Sequence, residues 1–175
     1  MRTGLLATTL LWAVILATTA GCQAQTSDTK EASTERNKAL VRRWIEEGFN
    51  QSSLNVVDEL FAERVRINGQ TVGRDDLKQS MSRHLRGFPD LHVTIDEIVA
   101  EGRKVGIWYT AEGTHRGEFE AIPPTGNRVR WVGFDLFGID GGKISETRFL
   151  SDFHGLLTQL GATVSLPRPP EHARP

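Results

Sequence analysis

Residues 127–151 read NRVRWVGFDLFGIDGGKISETRFLS, and this stretch decides the fold class. Its first part, 127–139, is rich in β-branched and aromatic residues, which predicts a long β-strand. The Asp140-Gly141-Gly142 turn then reverses the chain onto 143–151. The stretch therefore predicts an antiparallel hairpin of two long strands.

The segments before this hairpin divide into helices and further strands. Leu91, Val93 and Ile95 alternate with polar residues, which predicts a half-buried strand. A second strand is predicted over 105–115. Upstream of these strands, apolar residues recur about every four positions, which predicts three helices. They cover 38–49, the segment from an N-cap at Ser53 to Phe61, and 74–85. Residues 65–72, between the last two helices, are predicted to be extended. A short helix over 153–160 follows the hairpin, and the whole order indicates an α+β domain.

Composition limits the function classes. The chain has 175 residues with a formal net charge of −1, and 38% of its residues are hydrophobic. We expect one folded domain over 35–162, with a flexible tether over 22–34 and a disordered proline-rich tail over 163–175. A near-neutral domain has no electrostatic footprint for nucleic acid, so nucleic-acid binding is disfavoured.

The N-terminus predicts export. Residues 1–21 contain an apolar stretch, and they end in Thr19-Ala20-Gly21 directly before Cys22, the single cysteine. This ending resembles a bacterial lipobox, which implies lipid attachment at Cys22 and a location at the bacterial cell membrane or outer membrane. An ordinary signal peptide that ends near a cysteine is the alternative.

Four strings in the domain carry a family resemblance. They are FPDLHV at 88–93, GTHRGEF at 113–119, IPPTG at 122–126 and GLLTQLG at 155–161. Together they resemble the SnoaL-like polyketide cyclase family of the nuclear-transport-factor-2-like superfamily. The resemblance implies a cone-shaped barrel, in which a strongly bent antiparallel sheet wraps around the N-terminal helices and encloses an apolar cavity. It also implies ring closure by aldol condensation without cofactor or metal, with an aspartate as acid/base.

Two aspartates are candidates for this acid/base role. Asp152 precedes Gly155 by three residues, where the family commonly has an aspartate, but its position also suits an N-cap of the last helix. Asp135 has the strand parity of the apolar residues around it, so it is expected to be either functional or paired, for instance with Arg148. Glu146 shares the parity of Arg148 and could join such a cluster.

Histidine and aromatic residues complete the candidate site. His115 is the third catalytic candidate, because it could donate a hydrogen bond to a carbonyl oxygen; the alternative, which is the more common outcome for such a histidine, is a hydrogen-bonded structural role in a turn. Position and residue type predict a further group of ligand-binding residues: Trp44, His84, Trp108, Trp131, Phe137 and Arg148. The histidines have no ligand spacing, so no metal site is predicted.

The sequence leaves three functions open. The first is a cofactor-free cyclase of the lyase or isomerase type. The second is a membrane-held module that binds a hydrophobic small molecule without turnover. The third is an interaction protein that forms a homodimer through its sheet.

Overall fold

The computed structural model describes residues 29–163. The predicted leader, Cys22 and nearly all of the proline-rich tail lie outside these residues. Residues 29–34, predicted as part of a flexible tether, are instead helical. No helix within 29–163 is long and apolar enough to cross a membrane.

The helices occupy the first half of the domain and its end. Helix α1 covers 29–43 and continues into a π-helical segment, Trp44–Asn50; the others are α2 (Val56–Leu60), α3 (Arg74–Gly87) and α4 (Phe153–Gln159). The predicted N-cap at Ser53 is wrong, because α2 begins three residues later, after Asn55, without a side-chain cap.

Six strands within residues 29–163 form one sheet. They are β1 (Phe61–Ile67), β2 (Gln70–Gly73), β3 (His92–Glu101), β4 (Lys104–Thr114), β5 (Arg128–Asp140) and β6 (Lys143–Ser151). Their order is β2-β1-β6-β5-β4-β3, and only the β1–β6 pair is parallel. The predicted hairpin is confirmed as β5–β6. The extended piece predicted over 65–72 is instead a β1–β2 hairpin that begins at Phe61.

The α+β class predicted from the sequence is confirmed. The sheet is open, with β2 and β3 at its edges, and its curl is consistent with the cone shape implied by the family resemblance. The register shifts between Ile95 and Glu97 on β3 and between Gly138 and Ile139 on β5. Such shifts increase local bending and twist, so they help the sheet to curve around the helices.

The π-helical segment fixes α1 against the sheet. Asn50 at its end accepts a hydrogen bond from the Val93 N–H (2.8 Å) and donates one to the Val93 carbonyl (3.1 Å). Gly48, predicted to end the first helix, lies within this segment. A β-carbon at Gly48 would be 2.7 Å from Cζ3 of Trp44, so the glycine gives the indole its space.

Candidate active site

A cavity of about 180 Å³ lies between the concave face of the sheet, the π-helical segment Trp44–Asn50 and helix α3. Its walls are mainly apolar and aromatic, and its polar side chains come from both the sheet and α3. The lining residues on the sheet side that matter most are Tyr109, Trp131, Asp135, Thr147 and Phe149; those on the helix side are Trp44, Phe49, Met81 and His84.

Asp135 is the acidic residue of this wall. It lies on β5 opposite Ile107 of β4 and Phe149 of β6, so apolar side chains flank it on both sides. Its Oδ1 atom is buried and has no hydrogen-bond partner within residues 29–163. Because burial disfavours the charged form, the pKa of Asp135 rises from its usual 3.8 to about 7. A carboxyl group in this state can both accept and return a proton near neutral pH.

The predicted pairing of Asp135 with Arg148 is wrong. Arg148 lies on the convex face of the sheet, where its Nε donates to Glu146 Oε1 at 3.1 Å. Glu146 also accepts hydrogen bonds from Arg66 (2.9 Å) and Lys104 (2.7 Å). These bonds lower the pKa of Glu146 to about 2. The expected Glu146–Arg148 contact therefore exists, but on the opposite face from Asp135.

Two hydroxyl groups flank Asp135 from the neighbouring strands. Tyr109 on β4 is paired with Gly133, and Thr147 on β6 is paired with Phe137, so each lies diagonally to Asp135 on the cavity face. The Thr147 Oγ1 is buried and has no hydrogen-bond partner among the described residues. Burial, and secondarily the Asp135 carboxylate, raise the pKa of Tyr109, so its hydroxyl remains a neutral donor. Sequence analysis missed both residues.

His84 lines the cavity from α3, as predicted. Its Nδ1 is 3.0 Å from the Ser80 carbonyl oxygen. Since a carbonyl only accepts hydrogen bonds, Nδ1 carries the proton in this contact, and Nε2 is the nitrogen left to meet a ligand. The ring also packs edge-on against Phe119, with 5.3 Å between ring centroids.

Asp152 and His115 lie outside the cavity. Asp152 is exposed, and its Oδ1 accepts a hydrogen bond from the Gly155 N–H at 2.8 Å, so it caps α4. His115 is fully buried, and its Nδ1 accepts from the Thr125 N–H at 3.2 Å in the loop before β5. Of the alternatives left open by the sequence, the geometry supports the structural role for both.

Some of the predicted ligand-binding residues line the cavity, and others do not. Trp44 and Trp131 line the cavity together with His84. Phe137 is fully buried in the core and does not reach the cavity. Trp108 points away from it, on the convex face, where its side chain is 47% exposed. No group of histidine, cysteine, aspartate or glutamate residues within 29–163 could hold a metal ion.

The chain is similar to known proteins in both sequence and structure. A sequence profile of the SnoaL-like polyketide cyclase family matches residues 39–160. AclR, a proposed hydroxylase from Streptomyces galilaeus, superposes with a TM-score of 0.68 at 28% identity, over 78% of this chain and 87% of its own. IdmH, a proposed polyketide cyclase from Streptomyces antibioticus, gives 0.64 at 27% identity, over 72% and 99%.

A third structure is similar to the same degree. It is a proposed SnoaL-like polyketide cyclase from Jannaschia sp. CCS1, with a TM-score of 0.69 at 25% identity over 75% of this chain and 96% of its own. No curated protein sequence matches the chain significantly. The solved relatives are described by different reactions, so the reaction of this chain has to be argued from its own cavity.

Proposed function

Since the chain belongs to the SnoaL-like polyketide cyclase family, we propose that its cavity binds a small carbonyl compound and catalyses an aldol-type ring closure. Asp135 acts as the acid/base. The observation that carries this proposal is the buried, unpartnered Oδ1 of Asp135 in an apolar cavity. A carboxyl group with a pKa near 7 matches the requirement of proton transfer at neutral pH.

In this reaction a single side chain, Asp135, both removes and returns the proton. The Asp135 carboxylate removes a proton from the carbon next to a carbonyl, and the C–H electron pair forms the enolate. The enolate carbon attacks a second carbonyl carbon of the same molecule and closes the ring. The resulting alkoxide takes the proton back from Asp135, so no external oxidant or reductant enters. Tyr109, which lines the same cavity, donates a hydrogen bond to the enolate oxygen in this proposal.

Exchange of carbon-bound hydrogen tests the first step alone. We would follow the α-protons of 4-phenyl-2-butanone in D₂O by NMR, with wild-type protein, Asp135→Asn and Asp152→Asn. The wild type should accelerate the exchange, and Asp135→Asn should reduce that acceleration by about 100-fold or more. Asp152→Asn is the matched control and should exchange like the wild type. Equal rates for the wild type and Asp135→Asn would overturn the assignment.

A non-catalytic role as a dimerisation module is the second candidate, and one surface favours it. On the convex face, Val99, Trp108, Phe134 and Leu150 are exposed hydrophobic residues on four adjacent strands. Ion pairs lie on both sides of this patch, one set around Glu146 and one around Glu112. An apolar centre with a charged rim is typical of an interface, here with a second copy of the chain. Trp108→Lys should then convert a dimer into a monomer in sedimentation experiments.

We further propose that the protein is exported and held at the cell membrane or outer membrane by lipid on Cys22. The support is the apolar leader and the Thr19-Ala20-Gly21-Cys22 ending. Cys22→Ser should move the protein from the membrane fraction to the soluble fraction after cell fractionation. Membrane retention of the Cys22→Ser variant would contradict lipid anchoring.

A further inference from the structure

The cavity has a negative group without a positive partner. Asp135 is its one carboxylate, and no lysine or arginine is among the lining residues in the described part of the chain. The other titratable groups of the lining are Tyr109 from β4 and His84 from α3. Neither makes a hydrogen bond to Asp135, whose buried Oδ1 has no partner in the part of the chain that the structure describes. The ionised carboxylate therefore obtains no counter-ion from residues 29–163.

The rest of the lining is suited to an organic cation. Six aromatic side chains face the cavity: Trp44, Phe49, Phe61, Tyr109, Trp131 and Phe149. The negative faces of such rings attract a cation within about 6 Å of their centroids, and tryptophan does so most strongly. An acidic group and aromatic rings in the same cavity can combine an ion pair with this attraction at a site of low dielectric constant.

The unsatisfied oxygen atoms indicate that the cation carries N–H groups. Asp135 Oδ1 and Thr147 Oγ1 are both buried without partners from the described residues, and the two side chains are diagonal neighbours on β5 and β6. A buried acceptor that is left unpaired destabilises the folded state, and a charged acceptor does so more strongly. A primary ammonium group has three donors, so it can satisfy both oxygen atoms, whereas a quaternary ammonium cannot.

The volume limits the size of the ligand. An apolar cavity of about 150 Å³ holds one benzene molecule. The cavity here, at about 180 Å³, therefore has space for one aromatic ring and a short side chain.

We propose that the cavity binds a single-ring arylalkylamine as its ammonium ion, with the ammonium group on Asp135 and Thr147 and the ring among the aromatic side chains. This binding goes beyond the proposed ring closure and does not depend on it, since it requires no turnover. The two are compatible, because a carboxylate that accepts a proton from carbon is also one that can pair with a cation.

A pair of ligands that differ in charge alone tests this proposal. Calorimetric titrations at pH 8 would compare 2-phenylethylammonium with its neutral analogue 2-phenylethanol. The wild type should bind the ammonium ion at least tenfold more tightly than the alcohol. Equal affinities, tighter binding of the alcohol, or no binding of either ligand would overturn the proposal without bearing on the hydrogen-exchange test.

Two variants locate the effect. Asp135→Asn should bind both ligands equally, and its retained affinity for the alcohol would show that the cavity is intact. Glu112→Gln removes a carboxylate on the convex face and should keep the wild-type preference for the ammonium ion. A preference for the ammonium ion that survives Asp135→Asn would place the cation elsewhere and overturn the proposal.

Discussion

The Tyr109 ring lies directly over Gly133, its cross-strand partner on β5. A β-carbon at Gly133 would be 2.8 Å from Tyr109 Cε1, and closer still to Cζ and Oη. Since Gly133 separates Trp131 from Asp135 on the cavity face, its missing side chain is what lets the Tyr109 hydroxyl reach the region beside the carboxylate. The polar end of the cavity therefore depends on a residue that has no side chain.

Gly133→Ala should move Tyr109 out of this position. The added methyl group cannot be accommodated without a shift of the ring, so we expect a loss of about 1–3 kcal/mol in the free energy of unfolding. Denaturation by urea would measure it. In a Tyr109→Ala background the same substitution should cost much less, because the clashing ring is gone. Equal costs in both backgrounds would contradict the steric explanation.

Asp135 should make the protein less stable as the pH rises. Its pKa is raised on folding from 3.8 to about 7, so the folded state binds more protons than the unfolded state between these values. The stabilisation that the protonated Asp135 carboxyl contributes is therefore fully present below pH 3.8 and is lost as the pH rises toward 7. Above pH 7 the contribution of this group does not change further. Asp135→Asn should be more stable than the wild type at pH 8, by up to about 4 kcal/mol, and nearly equal at pH 4.

Thermal melts of both proteins at several pH values would measure this difference. Other titrating groups are the same in the two proteins, so they cancel when the melts are compared at each pH. A difference between the proteins that does not change from pH 4 to pH 8 would mean that the Asp135 carboxyl is not desolvated in the folded state.

The sequence predicted the helices and strands better than it predicted which side chains face the cavity. Strand parity placed Asp135 among apolar residues, because alternation along a single strand does not depend on its neighbours. Tyr109 was missed because its role depends on the register between β4 and β5, which pairs it with Gly133. Trp108 was predicted to bind ligand because it is aromatic, but on β4 it has the opposite parity from Tyr109 and therefore lies on the convex face.

Asp152 and Glu146 show a different limit of prediction from the sequence. Asp152 occupies a position where capping and catalysis predict the same residue type, so local sequence could not separate them. The three cations around Glu146 come from β1, β4 and β6, and Arg66 is 80 residues away along the chain. Such a cluster is visible only when the order of the strands is known.

Asp152→Ala should reduce stability and leave proton exchange unchanged. Removing the acceptor of the Gly155 N–H costs an N-cap, about 1 kcal/mol in the free energy of unfolding. Asp152→Ser retains a capping oxygen and should recover most of this loss. If both variants keep full stability but lose α-proton exchange, Asp152 rather than Asp135 is the acid/base.

Glu146→Gln should weaken the convex face in a pH-dependent way. The pKa of Glu146 is lowered on folding from 4.5 to about 2 by hydrogen bonds from Lys104, Arg66 and Arg148. Its contribution is therefore present above pH 4.5 and is lost as the pH falls through 2. Because the three cations are themselves about half exposed, we expect a loss of only about 1–2 kcal/mol at pH 7.

Glu112 provides a matched control for this substitution. It also contacts two arginines, Arg128 at 3.1 Å and Arg130 at 3.2 Å, but its side chain is 40% exposed, against 11% for Glu146. Since solvent screens exposed pairs, Glu112→Gln should change stability by less than 1 kcal/mol at pH 7. The destabilisation by Glu146→Gln should shrink toward zero in melts between pH 5 and pH 2. A constant difference over that range would mean that the cluster stabilises the sheet by packing rather than by charge.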